Sequence, residues 1–574
     1  MASHLKTSQL LLPLLLSSYI IFIRGQNVAH TFKGSFSGTT LKTRNGRTIE
    51  AFLGIPYAKP PIGPLRFRNP VEAEYEDEMY DATVDGNQCL QLVNVHTVIG
   101  DEDCLYLNIY TPGILEDPEQ ALLPTMVYIH GGDFVRGKGS STMYGPEYLL
   151  DKDVVLVTIN YRLGVLGFLS TGDSEAPGNF GLKDQALALR WINENIAFFA
   201  GDRNRVTLFG NGAGGVSAQL HTVSDLSDGL FEQYISQSGT ESCFWAYTEN
   251  WEYKEYAKKL GEYLMCPTTN SHALIDCLRK VDSYNLVDSN EIFDNTFYHF
   301  HTWGPTDEPK LGGAFLTGYP FHKIMTETVK DYPSMIGHVA DEGLVFTAEL
   351  YSNDDMYEKM VKNLDAFLLN IIKVSFDVLT PERYASIVKT FYFDETKPSE
   401  KETFLKNMTN LLSDTTFLMS GAYMEESMII PWFHYTAYLY SFDYRGTFSK
   451  TSNVIGSNKN IGVTHGDELT YLFPTSPIQF DQRKLELSES DERMIDIMVD
   501  LWTSFADTGT PTTKWFPESN FWQPYNNGSE YLIVGNNSDT TLSRQDHFRE
   551  ERMELWTALM SDQLFGGFYR AIVH

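Results

Sequence analysis

Residues 206–215 read Val-Thr-Leu-Phe-Gly-Asn-Gly-Ala-Gly-Gly, and this stretch decides the fold. Its first four residues are apolar or β-branched and closely spaced glycines follow, which predicts a buried strand that ends in a tight turn. Residues 216–223 then predict a helix. A strand, a tight turn and a helix in this order place Gly212 at the edge of a sheet. Glycine adopts the positive φ of such a turn without strain.

Apolar runs elsewhere in the chain extend this strand into a sheet. Residues 126–130, 154–160 and 438–442 are apolar or β-branched runs of strand length. Apolar side chains at helical spacing predict helices over residues 181–199 and 490–507. A helix between two such strands predicts a right-handed crossover and a parallel sheet. Because no linker rich in Pro, Gly and Ser divides the chain, we expect an α/β fold in a single domain.

The composition excludes whole classes of function. The 574 residues include 44 Lys and Arg against 75 Asp and Glu, which gives a net charge of −31. Such a surface repels nucleic acid and anionic lipid, so nucleic-acid binding is excluded, and it favours solubility or a cationic partner. The acidic residues are spread along the chain, which predicts a solvated acidic surface. Hydrophobic residues make up 42% of the chain, enough for a sizeable core.

The N-terminus has the features of a secretory signal. Fourteen apolar or small residues at 10–23 follow Lys6, and Gly25 comes next. A membrane-spanning helix needs about 20 apolar residues, so the run is too short to cross a bilayer. We therefore expect residues 1–25 to be removed and residues 26–574 to form the mature, secreted, extracellular domain. The alternative of an uncleaved anchor is weaker because a proline and two serines interrupt the run, and no later stretch predicts a membrane span.

Acceptor sequons agree with an extracellular compartment. N-glycosylation sequons begin at Asn407, Asn527 and Asn536. No CxxC or Cys/His spacing predicts a zinc site, and we expect neither a metal nor another cofactor.

The chain has five cysteines, an odd number. Pairing by proximity predicts disulfides Cys89–Cys104 and Cys266–Cys277, and it leaves Cys243 free or available to another chain.

Several motifs together carry a resemblance to a known family. They are Gly-Ile-Pro-Tyr-Ala-Lys-Pro-Pro-Ile-Gly-Pro-Leu-Arg-Phe at 54–67, Glu-Asp-Cys-Leu-Tyr-Leu-Asn-Ile-Tyr at 102–110, His-Gly-Gly at 130–132, Ala-Gly-Asp at 200–202 and the stretch 206–215. In this order they resemble the type-B carboxylesterase/cholinesterase family over essentially the full length after the signal. The resemblance implies an α/β-hydrolase fold, with a large, mostly parallel central sheet flanked by helices. The two disulfides also fall where the family places them.

The resemblance assigns roles to five residues. Glu342 falls on the acid of the family's Ser-Glu-His triad and His465 on the base. A hydroxyl nucleophile needs an imidazole to remove its proton, and the imidazole needs a carboxylate to fix its tautomer. The backbone N–H groups of Gly131, Gly132 and Ala213 fall on the family's oxyanion hole, which binds the charge that develops during ester hydrolysis.

The nucleophile position departs from the family pattern. The family has Gly-Glu-Ser-Ala-Gly, whereas residues 210–214 read Gly-Asn-Gly-Ala-Gly, so Gly212 replaces the serine. Neither Ser217, further along the helix, nor Cys243 is placed to substitute for it. Loss of a nucleophile costs a hydrolase about six orders of magnitude in rate, and roughly 10³–10⁴ over water remains. The sequence therefore predicts that ordinary serine esterase activity is absent.

The family branch is indicated by the loop between Cys89 and Cys104. It contains no Trp, Tyr or Phe, although cholinesterase-like members bind quaternary ammonium with an aromatic ring there. This argues against choline esters. Phe134, Phe300 and Trp303 are candidate pocket walls, and ordinary core packing is an equally good interpretation of them.

Two functional hypotheses follow. Non-catalytic members that resemble neuroligins, neurotactin, gliotactin and glutactin also lack a complete triad. The first hypothesis is a secreted pseudo-esterase that binds a protein partner or an apolar small molecule. The alternative is an atypical carboxylic ester hydrolase with weak activity, in which His465 and Glu342 activate water directly. The sequence leaves the oligomeric state open.

Overall fold

The computed structural model describes most of the chain after the predicted signal. The described residues are 27–75, 79–94, 96–114, 121–293, 303–326, 331–376, 378–394, 396–397, 399–419, 436–474, 486–516, 521–525, 530–547 and 549–560. The predicted signal at 1–25, Phe300 and Asn527 lie outside these residues.

The described strands form one large sheet and two small ones. Their bounds are β1 Val28–His30, β2 Ser35–Ser37, β3 Thr39–Lys42, β4 Thr48–Pro56, β5 Met79–Asp81, β6 Gln91–Asn94, β7 Thr97–Ile99, β8 Tyr106–Thr111, β9 Leu123–Ile129, β10 Val155–Ile159, β11 Gly201–Asn211, β12 Gln233–Gln237, β13 Ser334–Val339, β14 Ala437–Tyr444, β15 Glu530–Asn537 and β16 Asp539–Asp546.

Helices surround the sheets. Their bounds are α1 Gly164–Phe168, α2 Phe180–Asn195, α3 Ala213–Leu220, α4 Asn250–Tyr263, α5 Ser271–Leu278, α6 Ser283–Asp288, α7 Pro320–Thr326, α8 Leu344–Ser352, α9 Asp354–Lys362, α10 Leu364–Ser375, α11 Pro381–Phe393, α12 Lys401–Ser413, α13 Thr451–Ile455 and α14 Glu489–Thr508.

The large sheet has eleven strands in the order β16-β15-β14-β13-β12-β11-β9-β10-β8-β4-β3. Neighbouring strands pair in parallel from β10 through to β15. Antiparallel strands complete both edges. The architecture is a mostly parallel central sheet flanked by helices, consistent with the α/β-hydrolase fold that the resemblance implied.

The predicted strands and helices are present, and one neighbour relation differs from the simplest expectation. Helix α2 connects β10 to β11 as predicted. However, β9 lies between these two strands in the sheet, so the connection passes over one strand. The apolar runs that predicted these strands carry no information about which of them are neighbours.

The two faces of the sheet bury separate apolar cores. Along β9, Val127 and Ile129 belong to one core, whereas Met126 and Tyr128 belong to the other. Alternate residues of a strand point to opposite faces, so the two cores lie on either side of the sheet. The first core includes buried residues of α2 and α3. The second includes buried residues of α14, such as Trp502.

Helix α14 shows why the sequence folds locally as it does. The Ser488 side chain accepts a hydrogen bond from the Asp491 backbone, and the Asp491 side chain accepts one from the Ser488 backbone. This capping box satisfies N–H groups that the first helical turn leaves without partners. Gly509 ends the helix with φ of 70°.

Among the described residues, no helix is both long and apolar enough to cross a membrane.

Candidate active site

Gly212 lies at a sharp turn between β11 and α3. Its φ is 56° and its ψ is −118°, a conformation that is strained for residues with a side chain. Its N–H donates to the Gln237 carbonyl oxygen at 2.8 Å, and its own carbonyl oxygen accepts from the Val216 N–H at 3.0 Å. The backbone of the turn is therefore held from both sides by hydrogen bonds.

The glycines on either side of Gly212 permit close packing of this turn against β9. A Cβ atom at Gly210 would lie 2.4 Å from the Ile129 carbonyl oxygen, and one at Gly214 would lie 2.0 Å from the same oxygen. Neither distance is possible for real atoms, so both positions require glycine. This is the geometry of a nucleophile elbow.

Glu342 and His465 meet beside this turn. Glu342 lies between β13 and α8, and His465 precedes the short 3₁₀ helix Glu468–Tyr471. The Nδ1 atom of His465 is 2.7 Å from Oε2 of the fully buried Glu342. Oε1 of Glu342 accepts a hydrogen bond from the Val339 N–H at 2.9 Å. The carboxylate therefore fixes the imidazole with its proton on Nδ1.

The other ring nitrogen of His465 faces Gly212. A Cβ atom at Gly212 would lie 3.1 Å from Nε2 of His465. The structure thus brings together the three residues that the sequence assigned to the triad positions, although they are distant in the chain. A side chain at Gly212 would contact the imidazole directly.

Charged groups shift the pKa of His465. Burial lowers it, but the neighbouring Glu342 carboxylate and its hydrogen bond raise it, as does the charge of Glu468. Lys450 acts in the opposite direction, and the net effect is a pKa above the ordinary value. The imidazolium form is therefore stabilised relative to a histidine in water.

The residues assigned to the oxyanion hole surround the turn. Ala213 is the first residue of α3, and Gly131 and Gly132 follow β9. A Cβ atom at Gly131 would lie 2.3 Å from the Asn211 carbonyl oxygen, so this loop packs directly against the end of β11. Gly132 has φ of 113°. Both loop positions therefore require glycine for steric or conformational reasons.

His130 supports the same loop. Its Nδ1–H donates to the Gly131 carbonyl oxygen at 2.8 Å, and its ring stacks on Tyr161 with 4.5 Å between ring centroids. Burial lowers the pKa of His130 to about 4, so the ring is neutral at physiological pH.

Sequence reasoning missed a buried polar contact behind the turn. The Asn211 Nδ2 donates to Oε1 of Glu468 at 2.9 Å, and Nε2 of Gln237 donates to the same oxygen at 3.2 Å. Burial raises the pKa of Glu468 to about 7, and the charge of Glu342 acts in the same direction. The sequence showed that Asn211 departs from the family pattern, but it carried no signal for the partner.

Residues 25–556 match the model of the Carboxylesterase family. The chain belongs to the carboxylesterase family. It is 36% identical to a juvenile hormone esterase of Tribolium castaneum over 508 residues, which are 84% of each chain. It is also 36% identical to esterase FE4 of Myzus persicae over 542 residues, which are 92% of this chain and 91% of that one.

A vertebrate member of the carboxylesterase family is similar over nearly the whole chain. An acylcarnitine hydrolase of Mus musculus is 29% identical over 569 residues, which are 95% of this chain and 94% of the relative. The similarity to family members thus covers the whole region that contains the elbow, Glu342 and His465.

Phe417, which contacts His465, and its neighbour Trp245 could not be predicted from the sequence of this carboxylesterase-family chain. Phe417 stacks on the imidazole with 4.8 Å between ring centroids, and the ring of Trp245 lies 6.0 Å from that of Phe417. Trp245 donates from Nε1 to the Thr416 carbonyl oxygen at 2.8 Å. Phe417 lies in the π-helical segment Asp414–Leu418, a geometry that hydrophobic periodicity does not predict.

Two of the three aromatic residues that the sequence singled out, Phe134 and Trp303, pack in the core. Phe134 is fully buried and its ring lies 5.3 Å from that of Phe168. Trp303 is buried and its ring lies 5.6 Å from that of Tyr253. The structure thus shows core packing for both side chains.

The cysteine pairing predicted from the sequence is confirmed. The structure contains the disulfides Cys89–Cys104 and Cys266–Cys277. Cys243 is buried and belongs to neither of them. Its Sγ accepts a hydrogen bond from the Thr240 N–H at 3.5 Å.

The two described sequons differ in exposure. Asn536 is exposed near the end of β15, whereas Asn407 is half-buried on α12. The Nδ2 of Asn407, the atom to which a glycan would be joined, donates to Oγ1 of Thr396 at 2.8 Å. Asn536 is therefore the better placed acceptor.

Proposed function

We propose that this member of the carboxylesterase family is a catalytically inactive binding protein. The observation that carries the proposal is Gly212. A Cβ atom at this position would lie 3.1 Å from Nε2 of His465. A glycine there supplies no nucleophile, while the Glu342–His465 pair that would activate one is intact. The binding site consists of Gly212, His465, Phe417 and the loop Gly131–Gly132. We refer to these residues as the elbow site.

The size of the expected rate loss supports this proposal. Removal of the nucleophile from a hydrolase triad lowers kcat by about six orders of magnitude. Backbone donors and substrate binding leave only roughly 10³–10⁴ over the reaction in water. The relatives named for esterase activity would therefore turn over esters far faster than this chain does.

A hydrolysis assay tests the proposal directly. The secreted protein is incubated with p-nitrophenyl butyrate beside its His465→Ala variant, and release of nitrophenol is followed. We expect no turnover above that of the variant. Turnover at the rate of an ordinary esterase, lost in the His465→Ala variant, would show that the protein is an enzyme.

Restoring a hydroxyl tests whether the remaining machinery is in place. We expect the Gly212→Ser variant, alone or with Asn211→Glu, to be labelled by an organophosphate, because the new hydroxyl would lie beside Nε2 of His465. Gly229→Ser is the matched control, since Gly229 also has a positive φ and its Cβ position is open. Labelling of the control alone, or of neither variant, would contradict the assigned elbow site.

The intact Glu342–His465 pair favours one second candidate function. His465 could act as a general base on water, which would give a slow carboxylic ester hydrolase. This function predicts weak hydrolysis that disappears in the His465→Ala variant and also in Glu342→Gln. Turnover that is the same in both variants would eliminate it.

The proposed location is extracellular, with residues 1–25 removed as a signal. Mass spectrometry of protein from culture medium should find Gln26 at the N-terminus and a glycan at Asn536. An intact residue 1 in the purified protein would contradict the proposed cleavage.

The proposed binding function has two forms. Adhesion to a protein partner predicts binding to cells or matrix that persists when the elbow site is filled by a small ligand. Carriage of an apolar molecule predicts a co-purified ligand that an added competitor displaces. Phe417, stacked on His465, favours carriage because it lines the site with an apolar ring.

A further inference from the structure

The ring nitrogen of His465 that faces Gly212 becomes a hydrogen-bond donor directed at the elbow site when the ring is protonated. Nδ1 is engaged by Glu342 at 2.7 Å, and within the described residues the structure gives Nε2 no hydrogen-bond partner. At Gly212 a Cβ would be 3.1 Å from Nε2, so a serine hydroxyl would occupy the space beside this nitrogen. With glycine at this position, an atom of a ligand can take that place.

The charges around His465 favour its cationic form. Three charged groups act on the ring: Glu342 beside Nδ1, Glu468 behind the turn and Lys450. Burial and Lys450 disfavour the imidazolium. The Glu342 carboxylate favours it, as does Glu468 in its ionised form, and the net shift is toward the imidazolium. An imidazolium donates a charge-assisted hydrogen bond from Nε2, and such bonds are strongest with anionic acceptors.

Backbone donors lie next to the same position. Helix α3 begins at Ala213, and its first intrahelical hydrogen bond comes from the Val216 N–H to the Gly212 carbonyl oxygen. The N–H groups of Ala213 and Gly214 precede that bond and have no acceptor within the helix. The positive end of the helix dipole adds to the attraction for a negative charge.

The two positions that depart from the family pattern both make the elbow site more favourable to an anion. Gly212 removes the hydroxyl that would otherwise occupy the space beside Nε2. Asn211 replaces a glutamate with a neutral amide, which donates to Glu468 at 2.9 Å. One negative charge beside the site is thereby absent. Both departures favour an anionic ligand over a neutral ester.

We propose that the elbow site binds the carboxylate of an apolar monocarboxylic acid, that is, an acid rather than an ester. The imidazolium of His465 and the first N–H groups of α3 would hold the carboxylate, and the ring of Phe417 would pack against the apolar chain. This proposal rests on the proposed function, because it gives the class of ligand for the same site.

Calorimetric titration of the full secreted chain tests the proposal, with sodium octanoate and methyl octanoate as the probes. The two molecules share an apolar chain and differ in charge. At pH 6 we expect octanoate to bind at least about tenfold more tightly, the value of one charge-assisted hydrogen bond. The preference should decrease as the pH rises through the pKa of His465, because the imidazolium then loses its proton. Equal affinity for the acid and the ester at pH 6 would overturn the proposal without any variant.

Variants locate the binding to His465. We expect His465→Gln to weaken octanoate binding by about tenfold while leaving methyl octanoate nearly unchanged. His272→Gln is the matched control, because His272 is on α5 with its side chain 69% exposed. Thermal unfolding of each variant checks that it is folded. Octanoate binding by His465→Gln equal to that of the parent protein would place the ligand elsewhere and overturn the proposal.

The outcomes separate this proposal from the proposed function. Absence of octanoate binding together with absence of nitrophenyl butyrate hydrolysis would overturn the acid ligand and leave the inactive binding protein standing. Hydrolysis at the rate of an ordinary esterase would overturn the proposed function itself, whatever the result with octanoate.

Discussion

A buried carboxyl group, Glu241, should make the stability of this protein depend on pH. It follows β12, is 2% exposed and donates its backbone N–H to Oε1 of Gln219 at 3.1 Å. Burial raises its pKa from 4.5 to about 7, and hydrogen bonding from Ser242 offsets only part of the effect. The native state therefore holds the Glu241 proton more tightly than the unfolded chain does.

The magnitude follows from proton linkage. Above pH 4.5 the unfolded chain loses this proton while the native state keeps it, so the free energy of unfolding decreases as the pH rises toward 7. One pKa unit corresponds to about 1.4 kcal/mol. Between pH 5 and pH 8 the group should therefore remove about 2 to 3 kcal/mol from the stability of the protein.

The perturbation is Glu241→Gln, which keeps the shape of the side chain and cannot ionise. We expect the decrease in the free energy of unfolding between pH 5 and pH 8 to be smaller in the variant by about 2 to 3 kcal/mol. Urea denaturation at both pH values measures it. Glu262→Gln on α4 is the control, because the Glu262 side chain is exposed. The same pH dependence in Glu241→Gln and the parent protein would refute the reasoning.

Three further substitutions should lower stability for separate reasons. Lys183→Met leaves the fully buried Glu308 carboxylate, 2.5 Å from the Lys183 ammonium, without its cationic partner, and urea denaturation should show a loss of about 3 to 5 kcal/mol. Cys266→Ser removes the Cys266–Cys277 disulfide and should lower stability by about 2 to 4 kcal/mol. Reducing agent should therefore destabilise this variant less than it destabilises the parent protein. Gly337→Ala places a Cβ 2.2 Å from the Tyr440 ring and should lower the melting temperature through about 1 to 3 kcal/mol of overpacking. An unchanged melting temperature would show that the ring moves freely.

Much of the fold could be predicted from local pattern. Alternation of apolar residues and helical spacing predicted β9, β10, β11, β14, α2 and α14, because burial on a sheet or a helix face leaves a periodic trace in the sequence. The place of β9 between β10 and β11 could not be predicted in this way. Strand neighbours depend on how long connections cross the sheet, and no local pattern records that path.

The candidate site, like the fold, could be predicted only in part. Gly212, Glu342 and His465 could be assigned because each lies in a motif that keeps its order along the chain. The contact of Asn211 with Glu468 could not, since the two residues are 257 positions apart and a buried carboxylate looks like any other in the sequence. Phe417 was also missed, because its π-helical turn carries no periodic signal.

The three glycines of the elbow are subject to different steric constraints. At Gly210 and Gly214 a Cβ would collide with the backbone of Ile129, so a replacement there would force the turn away from β9. At Gly212 the atoms nearest a Cβ belong to the ring of His465, at 3.1 and 3.5 Å. Selection for a stable fold therefore does not require a serine there. Since some glycine and serine codons differ by a single base, one base change can exchange the two residues at this position without a collision with the backbone.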